Sequence, residues 1–233
     1  MFDISRAFSY ALDDRQWQNK LVICAAVGFG AIILTPFLIG LVLWALLLGY
    51  HADLVRNLRD GNPFPLPEWT DLSYKLQHGG SILTGVLVYS LPNIFLSCCM
   101  TATANSWIDT RLMGPTIGTG LLCCVTPLLL VYNLVTWPMI ALAVARYAEE
   151  RNIGVFFQFA DLFDTVTRKI GVTLQWILFA FLTNLLFGLV LIIPCIGWAI
   201  VPAVAVPVTA YLAAGLADGL EGSRAKPKRA QLS

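Results

Sequence analysis

Residues 171–217 read GVTLQWILFAFLTNLLFGLVLIIPCIGWAIVPAVAVPVTAYLAAGLA and hold no Asp, Glu, Lys or Arg. A charge at the centre of a bilayer costs roughly 2.5 to 3.5 kcal/mol on insertion scales, so an uncharged apolar run of this length reads as membrane-spanning helix. At about 20 residues per span it holds two helices, broken near Pro194 and Gly197. Working back along the chain, Leu112–Ala145, Gly80–Ile108 and Leu21–Tyr50 are equally free of charge. Gly80–Ala104 makes one helix, and Met113–Ala145 makes a second that is long or tilted.

The first run is ambiguous. Leu21–Tyr50 is short for two spans, yet Thr35-Pro36 lies in its middle, and proline disfavours helix at the residue before it. Two helices result if the first begins near Asp14 and the second continues through His51 to about Arg59. A re-entrant hairpin or one kinked span is the alternative.

The composition agrees with this reading. The 233 residues are 58% hydrophobic and 12% charged, which is too apolar for an ordinary soluble domain. A net charge of +1 supplies no basic face for nucleic acid, so none is expected as a partner. The six cysteines, Cys24, Cys98, Cys99, Cys123, Cys124 and Cys195, all fall in apolar runs without a C-x-x-C or a neighbouring His, and read as small apolar packing residues. The N-terminal residues are mixed and amphipathic and lead into no clear cleavage site, so the N-terminus is expected to be retained.

Positive charge gives the orientation. Arg6, Arg15 and Lys20 precede the first span; Arg56, Arg59 and Lys75 flank the first loop, 51–79; Arg146, Arg151, Arg168 and Lys169 flank the second, 146–170; Arg224, Lys226, Lys228 and Arg229 form the tail. Only Arg111 lies elsewhere. Positive segments face the cytoplasm, which places both termini and both long loops inside. The expected fold is therefore all-α: a helical bundle of about six transmembrane helices arranged as three hairpins. Residues 1–221 form one membrane domain and 222–233 a disordered basic tail. Four spans plus a re-entrant first hairpin is the alternative.

Three cytoplasmic segments read as amphipathic. In the second loop Phe156, Phe159, Phe163, Val166 and Ile170 recur at helical spacing among Gln158, Asp161, Asp164, Arg168 and Lys169. Residues 1–13 repeat the pattern with Ile4, Phe8 and Leu12, and the first loop repeats it with Trp69, Leu72 and Leu76. Such helices cap a bundle at the bilayer surface, or dock a partner or lipid through Phe156, Phe159, Phe163 and Trp69. An offset of about 91 residues lays Gly80 on Gly171 and Asn93 on Asn184, a weak internal repeat of the kind membrane folds use.

The sharpest local motif is Asp60-Gly61-Asn62-Pro63-Phe64-Pro65-Leu66-Pro67-Glu68-Trp69. Gly61 tolerates the left-handed conformation that ends a helix. Pro63, Pro65 and Pro67 hold the chain extended, and Pro67 suits the first turn of a new helix, so Gly61 and the three prolines are expected to form a rigid hinge. This segment resembles the prokaryotic membrane-protein family called domain-of-unknown-function family 4013. The similar features are the aromatic and acidic lead-in ending at Trp17 and Lys20, the Gly49-Tyr50 pair, the Asp60-Gly61 turn and the run Pro65-Leu66-Pro67-Glu68-Trp69-Thr70-Asp71. The resemblance implies a six-span helical fold in a prokaryotic cell or internal membrane. It transfers no catalytic or binding residue. The Cys pairs and the basic tail depart from it.

No catalytic constellation stands out. His51 and His78 are the two histidines, and neither has metal-site spacing or an evident nucleophile beside it, so no cofactor, metal or enzymatic activity is expected. Both read as polar residues near the cytoplasmic surface. Asp53 with Arg56 reads as an exposed helix pair, and Glu149-Glu150-Arg151 as a solvated helix end. Inside the spans Asn93, Asn133 and Asn184 either bond between helices or line a wet cavity, with Asn93 and Asn184 the candidates for a broken-helix site. Two functions follow. One is an accessory, assembly or scaffold subunit of a larger membrane complex, bound to a membrane-protein partner or to copies of itself. The other is a carrier or flippase-like protein for an uncharged or lipidic substrate, its path lined by Asn93, Asn184 and the prolines of the last span.

Overall fold

The structure, a computed structural model, describes residues 4–105 and 115–222, with side chains over 5–98 and 125–222. Arg111, the side chains of Cys99, Cys123 and Cys124, and the basic tail beyond Gly222 lie outside the described residues. All regular elements among the described residues are helical. They are α1 (Ile4–Ser9), α2 (Trp17–Leu34), α3 (Gly40–Arg59), α4 (Leu72–Asn105), α5 (Pro115–Glu150), α6 (Phe159–Arg168), α7 (Ile170–Leu191) and α8 (Ile196–Glu221), with short 3₁₀ turns between some of them.

The first apolar run divides where proline predicts. Thr35–Phe37 forms a 3₁₀ turn and Leu38 takes a left-handed φ of 61° before α3 starts. Gly40 permits the reversal, since a Cβ there would stand 2.4 Å from the Thr35 nitrogen. The second helix ends at Arg59, and Gly61, at φ 66°, ends it with its N–H on the Leu58 carbonyl at 3.0 Å.

Among the described residues, five helices are long and apolar enough to cross a membrane: Trp17–Phe37, Leu72–Cys98, Val125–Glu150, Ile170–Leu191 and Ile196–Glu221. Their outer faces expose large apolar side chains such as Leu128, Val131, Phe181, Leu185 and Leu189, as in an integral membrane protein. The helix α3 is less apolar because His51, Asp53 and Arg56 occupy its second half.

The interior is built around α3 and α8. The most apolar stretch of α8 is 56% buried against 17% for those of α2 and α4, so α8 is the inner post and the others wrap it. Glycines set the closest contacts: a Cβ on Gly49 would lie 2.0 Å from the Lys75 carbonyl and one on Gly79 would lie 1.6 Å from that of Ala45, so α3 and α4 touch backbone to backbone. Gly28 of α2 likewise makes room for the Pro202 ring of α8.

Three sequence expectations need correction here. The N-terminal segment packs on the bundle through Ala7, Tyr10 and Ala11 while Leu12 is exposed; the Tyr10 hydroxyl donates to the Pro207 carbonyl at 2.7 Å and its ring stacks on Tyr211. Small residues let the segment press onto α8, which the larger apolar residues alone did not indicate. The second loop is not one helix. Asn152 accepts from the Gly154 N–H at 2.9 Å and opens a 3₁₀ turn, Ile153–Phe157, and the chain bends at Gln158 before α6. Finally, Pro67 does not start a helix: Pro65, Leu66 and Pro67 are buried in an extended strap, and α4 waits until Leu72, after a left-handed Asp71.

Candidate functional site

The residues proposed for surface contact separate in the structure. Phe156 is fully buried, its ring filling the space left by Gly85, where a Cβ would lie 2.4 Å from it. The Phe156 carbonyl accepts from the Tyr89 hydroxyl at 3.0 Å, so this phenylalanine wedges the loop into the bundle and is not a contact for lipid or partner. Phe159 and Phe163 are exposed and Leu162 and Val166 face inward. Trp69 is half-buried: its ring stacks on Tyr50 with centroids 4.5 Å apart, and Nε1 donates to the Lys20 carbonyl at 3.1 Å. Asn57 Nδ2 donates to the Pro65 carbonyl at 2.8 Å and Lys20 Nζ to that of Leu66 at 2.7 Å. The Gly61, Pro63, Pro65, Pro67 segment is thus a strap tied to α2 and α3, not a free hinge.

The intramembrane asparagines also separate. Asn93 and Asn133 exchange two side-chain bonds of 3.0 and 2.9 Å, joining α4 to α5. Asn184 lies apart, donating to the Ala180 carbonyl of its own helix at 2.8 Å. The two candidates for a broken-helix site are therefore not brought together.

At one end of the bundle the charges close on each other. Arg59, its side chain 2% exposed, faces Glu149 at 2.5 Å and Asp218 and Glu221 at 3.4 Å each. Arg146 meets Glu221 at 2.6 Å and also bonds Asp161. Asp53 takes Arg151 at 2.6 Å and Lys75 at 3.1 Å, and Lys20 pairs with Asp14 at 2.9 Å. Arg56 pairs instead with Asp60, at 3.9 Å. The expected Asp53–Arg56 pair and the solvated end at Glu149 and Arg151 are corrected accordingly: both are parts of a cross-helix network. Charged groups expelled from the apolar layer gather where the helices end, and there the nearest opposite charges lie on other helices.

Two apolar cavities lie on the other side of this layer. The larger, about 620 Å³, runs between α3 and α8 from Trp44 and Trp198 to His51 and Thr209, with Pro202 on its wall. The smaller, about 240 Å³, lies among α3, α4, α5, α7 and α8 and reaches Asn184 and Trp176. Leu48, His51 and Thr209 line both. His51 is thus an interior wall residue, two turns inside the end of α3, and not the exposed helix-end group expected. His78 shares a hydrogen bond of 2.9 Å with the Tyr147 hydroxyl. The signal for His51 was its place inside a helix that the sequence already extends to Arg59.

The residues that carry the resemblance meet in this arrangement: Gly49 at the α3–α4 contact, Tyr50 against Trp69, and the strap across them. A family model described as a protein of unknown function, DUF4013, matches residues 29–196. The chain belongs to the DUF4013 family. The DUF4013 match covers the strap, α3 through α7 and the turn into α8, and leaves outside it the lead-in ending at Trp17 and Lys20. No curated protein and no solved structure matches the chain. Among the described residues no group of His, Cys, Asp and Glu is placed to hold a metal ion.

Proposed function

We propose that this chain is a non-enzymatic, six-span protein of a prokaryotic membrane that takes up an uncharged, lipidic molecule between α3 and α8. The observation that carries the reading is the apolar cavity of about 620 Å³ bounded by Trp44, Leu47, Val201 and Pro202 and open to the lipid-facing surface. Ligand sites in helical bundles lie between helices and combine apolar walls with few polar groups. Asn184 and Pro202, two features expected to line a path for such a molecule, border the two cavities; Asn93 does not.

The proposed topology is three hairpins, with both termini and both long loops in the cytoplasm. It is supported by the charged layer at one end of the bundle, where Lys20 near the start of α2 pairs with Asp14, Lys75 near the start of α4 pairs with Asp53 of α3, and Arg59 at the end of α3 meets Glu149 and Glu221 at the ends of α5 and α8. In that topology the basic residues of the layer face the cytoplasm.

A second reading, an accessory, assembly or scaffold subunit, is supported by the exposed ridge of Phe157, Phe159 and Phe163 beside the charged layer. Native mass spectrometry of the particle extracted in mild detergent separates the two. A stoichiometric lipidic molecule on a chain without other proteins supports the first reading. A stoichiometric protein partner and no retained lipid supports the second and overturns the first.

A further inference from the structure

The groove between α3 and α8 has a tryptophan at one end whose indole N–H is free. Trp198 lies in the first turn of α8, half-buried, and forms part of the groove wall. No described residue accepts from its Nε1, and that atom keeps accessible surface. Trp44, on the α3 wall, already has its donor engaged by Thr35 Oγ1 at 3.1 Å. An indole N–H only donates, so its partner must be an acceptor. Trp198 stands at the end of the bundle opposite the Arg59 cluster, where a tryptophan meets the head-group border of a bilayer. The acceptors that a bilayer offers at that border are ester carbonyls.

The rest of the groove defines what extends inward from this donor. At the inner end the Thr209 hydroxyl donates to the Ala205 carbonyl at 2.6 Å, and His51 Nδ1 has no accessible surface. Neither calls for a polar group on an occupant. The remaining lining is aliphatic or aromatic and holds no Asp, Glu, Lys or Arg, so a charged group drawn inside would stand unpaired. From Trp198 to Thr209 the wall of α8 extends roughly 16 Å at about 1.5 Å per residue, about half of the roughly 30 Å hydrocarbon core. The groove therefore spans one leaflet. It is continuous with the lipid-facing surface, since Ile33, Val42, Ile196 and Ile200 on the same stretches of α2, α3 and α8 are exposed. We propose that the groove holds one acyl chain of an uncharged fatty-acyl ester from the leaflet opposite the Arg59 cluster. The ester carbonyl accepts from Trp198 Nε1, and the chain runs along α8 past Pro202 to the level of Thr209. This rests on the lipid-binding reading above and adds the class of lipid, its leaflet and the residue that meets its head.

The test uses the purified full chain in nanodiscs of dialkyl-ether lipid, which supply no competing ester. Two photoreactive probes are compared: a monoacylglycerol with a diazirine at the end of its acyl chain, and the matching O-alkylglycerol, which keeps the shape and loses the carbonyl. Saturable labelling of peptides from α3 and α8, read by mass spectrometry, gives half-saturation for each. The expected result is ester labelling at about fivefold lower concentration than ether labelling, the effect of one neutral hydrogen bond. Trp198→Phe should bring the ester to the ether's value and leave the ether unchanged, and the chain-end diazirine should mark residues near Leu48 and Thr209. Equal half-saturation on the native chain, or chain-end labelling at Trp198, overturns the ester contact while leaving the groove as a lipid site. Saturable labelling by neither probe overturns the groove reading itself. The comparison on the native chain needs no variant, so a Trp198→Phe protein that failed to fold would not remove the test.

Discussion

The Arg59 guanidinium places Nη1 2.5 Å from Glu149 Oε1, at the point where α3, α5 and α8 all end. One cation faces three carboxylates from two other helices, and its side chain is 2% exposed. Removing one partner of a buried cluster leaves the others uncompensated, at a cost of about 3 to 5 kcal/mol. Asp218 is 37% exposed, so water offsets part of this and the lower end applies. Arg59→Ala is expected to lower stability by about 3 kcal/mol, read as the thermal midpoint in detergent. Arg59→Lys should fall between, since an ammonium lacks the fork that reaches separate carboxylates. A midpoint unchanged in Arg59→Ala would show that solvent already screens the cluster.

Phe156 and Gly85 form a fitted pair. A methyl on Gly85 meets the ring at 2.4 Å, well inside contact distance, so one side must move. Gly85→Ala is expected to cost about 1 to 3 kcal/mol by overpacking. Phe156→Leu should cost a similar amount by leaving a void. The double variant should cost less than the sum of the two, because the smaller side chain vacates the space the methyl needs. Strictly additive losses in denaturation of the purified protein would mean the two positions relax independently.

The asparagines give a third expectation. Asn93 and Asn133 each donate to the other, so either change to Ala strands its partner, and the two changes together should cost little more than one. Interhelical bonds of this kind are worth about 0.6 to 2 kcal/mol. Asn184→Ala should change stability by less than about 0.5 kcal/mol, since its bond returns to its own helix. A double-variant cycle in bicelles reads the coupling, and a coupling of zero would contradict the paired geometry.

What was legible in the sequence divides along the range of the forces involved. The break at Thr35-Pro36, the extension of α3 to Arg59 and the turn at Gly61 all follow from local backbone preference, and the structure has each of them. The failures involve partners distant in the chain. Arg59 finds Glu149 and Glu221, and Asp53 finds Arg151, none of which neighbours it in sequence, so local spacing points these groups to solvent or to helical neighbours instead. Phe156 and Phe159 share a helical period, but Asn152 capping the Gly154 turn separates them into two elements and sends one inward. The burial of His51 depends on α8 lying beside it, and nothing in the residues around His51 specifies α8.

The first hairpin supplies the last expectation. Its two helices have 18 and 20 residues, close to the roughly 30 Å that a hydrocarbon core requires at about 1.5 Å per residue. If both cross, the turn at Phe37 opens outside and the strap at Asn62 lies in the cytoplasm. Phe37 is 70% exposed and Asn62 is also exposed, so single cysteines at either position in a cysteine-free background should be reachable. A membrane-impermeant maleimide on intact cells should label Phe37→Cys and spare Asn62→Cys, and inverted vesicles should reverse the pattern. Ile192→Cys, in the turn between α7 and α8, should behave as Phe37→Cys does, since both lie at the end of the bundle opposite the Arg59 cluster. If Phe37→Cys resisted the reagent from outside while Ile192→Cys reacted, the first hairpin would be re-entrant and the chain would cross the membrane four times.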